Sequence, residues 1–159
     1  MNRTAGSFQT RVAPTQVIST RAGQLALFVA YDSPVMCFCD QPEDVRGQPG
    51  EDFLRVVPTV WDDTRVLSAT VGSYLVMARR SGADWYLGTM TNSNERTCTV
   101  KLSFLGPGTW TMRWWHDAPD SGSIAEHLEV TERTVTAADS INVRMSAGGG
   151  SVARFVRVP

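Results

Sequence analysis

The chain reads as mainly β: a C-terminal antiparallel β-sandwich preceded by the last α/β segments of a (β/α)8 barrel. Three observations carry this expectation. Residues Arg21–Pro42, RAGQLALFVAYDSPVMCFCDQP, join a stretch that is apolar on almost every side to a short run, Val35–Cys39, with no polar face. A helix buried all round and a strand covered on both sides are the parts of an α/β unit rather than of a surface. From Trp61 onward the period changes to two, in short segments separated by turn residues, as antiparallel sandwiches require. A boundary near residue 60 follows, with 1–60 as the remnant of a barrel and 61–159 as the sandwich. Nothing earlier in the chain supplies the strands that Val35–Cys39 needs beside it, so the sequence is expected to be the tail of a larger enzyme.

Residues 1–13 are polar, with little periodicity. Pro14 suits the first turn of a helix, where its missing N–H is not needed, and the helix is expected to run to about Tyr31. Ser33-Pro34 then breaks it, because proline disfavours helix in the residue before it. The strand over 35–39 delivers Asp40, Gln41 and Pro42 at its C-terminal end, the active-site face in a barrel of this kind. Gly47, Pro49 and Gly50 mark a loop, and Glu51 to Val57 gives a short helix with acid in its first turn, favourable against the helix dipole. Strands are expected over Tyr74–Arg80, Trp85–Thr91, Thr97–Phe104, Thr109–Trp115, Leu128–Val135, Ile141–Met145 and Val152–Val158. Thr97–Phe104 is the clearest, with Cys98, Val100, Leu102 and Phe104 alternating with polar residues.

Composition closes off several classes. A hydrophobic content of 42% and a charged content of 19% are those of a globular chain. The 15 basic and 16 acidic residues are spread along the sequence and give a net charge of −1, so no nucleic-acid footprint is present. No apolar run is long enough for a membrane span, and the N-terminal residues lack the apolar core of a signal peptide. Three cysteines, Cys37, Cys39 and Cys98, make an odd number without a disulfide framework. They read as buried free thiols, which behave as small hydrophobes.

The separated blocks RAGQLALFVAYDSPVMCFCDQPEDV, FLRVVPTVWDDTRVL, VGSYLVMARRSGADWYLGTMTN and SAGGGSVARF occur in that order. Together they resemble the carboxy-terminal part of glycoside hydrolase family 97, from about Arg11 to the end. The resemblance implies a parent with an N-terminal β-supersandwich, a catalytic (β/α)8 barrel and a C-terminal β-sandwich, acting on α-glucosidic or α-galactosidic bonds. It places the catalytic glutamates and the calcium ligands of the parent upstream, so it assigns this chain no catalytic residue and no cofactor. It further implies three partners: the chain's own upstream barrel, a second copy in a homo-oligomer, and the oligosaccharide substrate of the parent. Export to the periplasm or the medium is also an implication of the resemblance.

Glycosidases work with two carboxylates facing across the sugar. The acids near the barrel end are Asp40, Glu43, Asp44, Glu51, Asp52, Asp62 and Asp63, and most sit where acids serve as caps or solvent contacts. Asp40 and Gln41 are the candidates for an active-site rim, on position alone. His116 and His127 are too few for a zinc site, and Gly148-Gly149-Gly150 precedes a strand and reads as a turn. Among the tryptophans, alternation puts Trp110 and Trp114 with Met112 on the core face. Trp115 lies on the other face with Thr111 and Arg113. Trp115 and Trp61 are therefore candidates for an interface anchor, a lid on the barrel or a sugar platform. The alternative function is a non-catalytic carbohydrate-binding module.

Overall fold

The computed structural model describes residues 2–7, 16–36 and 42–159. Two short strands, β1 (Asn2–Arg3) and β2 (Val17–Ile18), pair in parallel. They are followed by helices α1 (Arg21–Ala30), α2 (Pro42–Val45) and α3 (Glu51–Leu54). Eight strands complete the described chain: β3 (Asp63–Thr70), β4 (Tyr74–Ser81), β5 (Asp84–Thr91), β6 (Arg96–Lys101), β7 (Thr109–Asp117), β8 (Leu128–Thr136), β9 (Ser140–Met145) and β10 (Gly150–Arg157). Six of them form one antiparallel sheet in the order β3-β4-β5-β10-β7-β8, and β6 pairs with β9.

Alternation divides the large sheet into two working faces. On one face Val76, Ala78, Trp85, Leu87, Trp110, Met112 and Phe155 pack against Val100, Ile141, Val143 and Met145 of the β6–β9 pair. The intervening residues Tyr86, Trp115 and Val152 point the other way and pack against Leu25, Ala26 and Val29 of α1 and Phe53 of α3. The molecule is thus a pair of sheets with a helical layer on the outer face of the larger one. Each strand of the central sheet serves two cores, which is why its sequence carries apolar residues at both parities.

Helix α1 starts later than the sequence suggests. Thr20 caps it, accepting from the Gly23 N–H at 3.0 Å, and Val17–Ile18 just before it are strand. A helix from Pro14 is therefore not formed, and Pro14 itself lies outside the described residues. The stripe Ala22, Leu25, Ala26 and Val29 is buried on the sheet, at the spacing of one helix face. The approach is close at Gly88 of β5, where a Cβ would lie 2.8 Å from the Val29 Cβ. Gly88→Ala is expected to lift α1 off the sheet and cost about 1–3 kcal/mol, as overpacking does, measurable as a lower urea midpoint. The helix ends where Tyr31 donates to Leu27 O at 2.9 Å, just ahead of Ser33-Pro34.

The expected strand over 35–39 has a different outcome. Val35 and Met36 are not in a strand, and Val35 is 79% exposed. Residues 37–41, including Cys37, Cys39, Asp40 and Gln41, lie outside the described residues. The seven strands expected after residue 70 are all present within a few residues of their expected ends. Besides β1 and β2, the strand β3 stands outside those seven. It is the sheet's edge, with nearly every residue exposed and a bulge between Val66 and Ser68, so neither burial nor an unbroken period marks it.

Candidate interaction site

The outer face of the large sheet, covered by α1 and α3, is the best-built site on the molecule. Its centre is Trp115, which is 1% exposed. Phe53, itself fully buried, tilts against the indole with ring centroids 5.2 Å apart. The indole Nε1–H donates to Asp52 Oδ1 at 2.9 Å, and Arg113, two residues earlier on the same face of β7, pairs with Asp52 Oδ2. One carboxylate at the start of a short helix therefore fastens α3 to two residues of β7. α3 itself is held at its start by Glu51, which accepts from the Gly47 N–H at 2.7 Å and pairs with Arg55. Those two contacts keep the Glu51 carboxyl below its usual range.

Trp61 sits at the other side of the same layer. It is half-buried and meets Tyr86 edge-on at 5.3 Å, with the Arg79 guanidinium 5.6 Å from its ring. The Tyr86 hydroxyl donates to Val56 O at 3.1 Å, and Arg79 Nη1 donates to Tyr31 O at 3.0 Å. Arg79 is 3% exposed, so its charge acts as a buried tether for the C-terminal end of α1.

The N-terminal end of α1 is tethered through the loop that the three consecutive glycines form. Thr20 N–H donates to Gly148 O, the Ser19 hydroxyl donates to the same oxygen, and Arg21 N–H donates to Ala125 O. Beneath this loop lies Asp117, 4% exposed, whose Oδ2 accepts from Ser146 N–H at 2.8 Å and Gly150 N–H at 3.1 Å. A Cβ on residue 149 would stand 2.0 Å from that oxygen; glycine is what lets the carboxylate in. Nothing in the local sequence singles Asp117 out, since its two partners are backbone groups about 30 residues away.

Three of the acids considered for chemistry are engaged otherwise, and Asp40 lies outside the described residues. Asp52 holds α3, Asp62 accepts from the Gly82 N–H and pairs with Arg80, and Asp63 pairs with Arg65. His127 bonds Asp120 Oδ2, and the His116 ring bonds the Asp117 carbonyl. Among the described residues no three His, Cys, Asp or Glu side chains come together as a metal site. Of the five tryptophans three are buried and two are half-buried. The arrangement is that of a docking face, in which aromatic rings and charge-assisted bonds hold segments together.

Comparison with known proteins agrees in kind. Residues 60–156 match the family described as glycosyl-hydrolase 97 C-terminal, oligomerisation. The chain belongs to that family: it is a C-terminal oligomerisation domain of glycoside hydrolase family 97. It is 30% identical over 150 residues to a retaining alpha-galactosidase of Bacteroides thetaiotaomicron, and 34% identical over 154 residues to a probable retaining alpha-galactosidase of Streptomyces bingchenggensis. These alignments cover 94% and 96% of this chain but 23% of each relative. A solved family 97 enzyme from Pseudoalteromonas sp. strain K8 superimposes over 89% of the chain with a TM-score of 0.83 and 32% identity, and again the match spans 23% of that enzyme. A beta-arabinopyranosidase superimposes over 86% of the chain with a TM-score of 0.72 and 27% identity.

Proposed function

We propose that this chain is the non-catalytic end of a longer glycoside hydrolase that cleaves α-galactosidic or α-glucosidic bonds, and that its sheet braces the catalytic barrel while the domain self-associates. In this reading residues up to about 60 are the last barrel segments. The observation that carries it is the helical layer over Trp115: α1 and α3 have no sheet of their own among the described residues and are bonded instead to the outer face of the sandwich sheet. Similarity to the alpha-galactosidases extends over 94% of the chain, well upstream of residue 60, which supports treating these helices and the sheet as one inherited unit. Enclosure of Trp115 and the packing of Trp61 on Tyr86 favour anchoring over sugar stacking for both residues.

The catalytic carboxylates and any calcium of the parent are assigned upstream. Glu51, Asp52 and Asp62 are taken up by arginines and backbone N–H groups, so they do not fit a calcium cage. Asp40 and Gln41 keep the rim assignment by position only. Export of the parent rests on the family resemblance. The chain alone is expected not to hydrolyse 4-nitrophenyl α-galactoside or α-glucoside, and to sediment as a multiple of its own mass. Turnover of either substrate by the purified chain would overturn the reading.

A further inference from the structure

The two edges of the six-stranded sheet differ in character. β3 is interrupted by its bulge, and its Arg65 is paired with Asp63 and lies 4.8 Å from the Trp85 ring. Bulges and anchored charges are devices that keep an edge from pairing with another chain. β8 has no such bulge. It pairs with β7 through nine consecutive residues, Leu128–Thr136, without a shift of register, and it contains no proline or glycine. Glu129 to Thr134 are all exposed. Among the described residues, no backbone–backbone bond joins residues 129–135 to anything but β7. Glu129, Glu132 and Arg133 are in none of the ion pairs there.

The charges on this edge are self-complementary. Glu129 and Arg133 flank Thr131 at equal distance and share its face of the sheet, by the two-residue period of a strand. If two copies pair antiparallel about a two-fold axis through Thr131, Glu129 stands opposite the partner's Arg133, and the reverse pair forms by symmetry. Thr131 then meets the partner's Thr131, and Val130 meets the partner's Glu132. Other centres fit less well. An axis through Glu132 or Arg133 brings like charges face to face, and one through Val130 sets Glu129 against Thr131 and Arg133 against His127, so that neither meets an opposite charge. Opposite charges directly across a ladder stabilise it, and like charges destabilise it. A two-fold interface of this kind is the commonest way for a chain to self-associate.

We propose that β8 is the self-association edge: a second copy of this chain pairs with it antiparallel about Thr131 and extends the sheet continuously across the dimer. This rests on the family's oligomerisation assignment and names the surface that would carry it. Sedimentation velocity of the 159-residue chain over a concentration series at low salt, where surface charge is least screened, tests it. Glu129→Arg and Arg133→Glu should each weaken dimerisation at least tenfold, and the double swap Glu129→Arg/Arg133→Glu should restore it. Circular dichroism should be unchanged in all three, since both side chains are exposed. In a second test, Thr131→Cys should give an oxidised dimer above the background of the native cysteines, because residues facing each other across a ladder lie within disulfide reach. A dimer indifferent to both reversals would overturn the β8 assignment and leave the oligomerisation reading standing. Reversals that dissociate the dimer with no recovery in the double swap would overturn the register. A chain that stays monomeric throughout would overturn both the assignment and the reading beneath it.

Discussion

Trp115→Ala is expected to lower stability by about 4 kcal/mol, the middle of the range for emptying a buried aromatic site. The indole is 1% exposed, fills the space between β7 and Phe53, and bonds Asp52. Its removal leaves a cavity under α3 and takes away one of the two donors on that carboxylate. For a chain of this size the loss corresponds to a fall in melting temperature of roughly 8–16 °C. Trp115→Phe is the milder change, since it keeps one aromatic ring against Phe53 but loses the Nε1–H and part of the indole volume; about 2 kcal/mol is expected from the missing bond and the smaller ring together. Phe53→Ala should be strongly non-additive with Trp115→Ala, because the two rings line one cavity. Urea unfolding of the four chains gives the coupling directly. A Trp115→Ala chain within 1 kcal/mol of the parent would mean that α3 is not held by this contact.

The sandwich was readable because its strands are amphipathic in the simple sense. Thr97–Phe104 alternates cleanly since β6 buries one face against the large sheet. The parity of β7 was also readable: Trp110 and Met112 fall in the inner core, and Trp115 falls on the opposite face under α3. What covers Trp115 was not readable, because Asp52 and Phe53 lie 63 and 62 positions away and no periodicity links them to it. The edge strand β3 escaped notice for the opposite reason, since it buries almost nothing and its bulge breaks the alternation. The end of helix α1 is legible, because Ser33-Pro34 is an unambiguous stop, and its start is not. Pro14 is a permissive signal, whereas the Thr20 cap is a bond to a particular backbone N–H. Local chemistry that terminates an element is visible in sequence; tertiary bonds that choose between two acceptable starts are not.

Asp117 is the second position where one substitution should matter greatly. Asp117→Ala leaves the N–H groups of Ser146 and Gly150 facing a space too enclosed for ready hydration, at a cost of about 3 kcal/mol. The loop around Gly148 should loosen with it, and so should the start of α1 that hangs from Gly148 O. Asp117→Asn keeps an oxygen for both donors and should cost only about 1 kcal/mol at neutral pH. The two variants also differ in their dependence on pH. Burial pushes the Asp117 carboxyl above its ordinary value of 3.8, against the pull of the Thr20 hydroxyl, the two backbone donors and the charge of Arg144. Between the ordinary and the raised value the folded chain holds a proton that the unfolded chain has released. Stability from this group therefore falls as pH rises through that window, and is flat above it. The difference in unfolding free energy between the parent and Asp117→Asn, measured from pH 3.5 upward, should shift against the parent as pH rises and then level off. A difference that moved in the parent's favour with rising pH would show that hydrogen bonding to the carboxylate outweighs its burial.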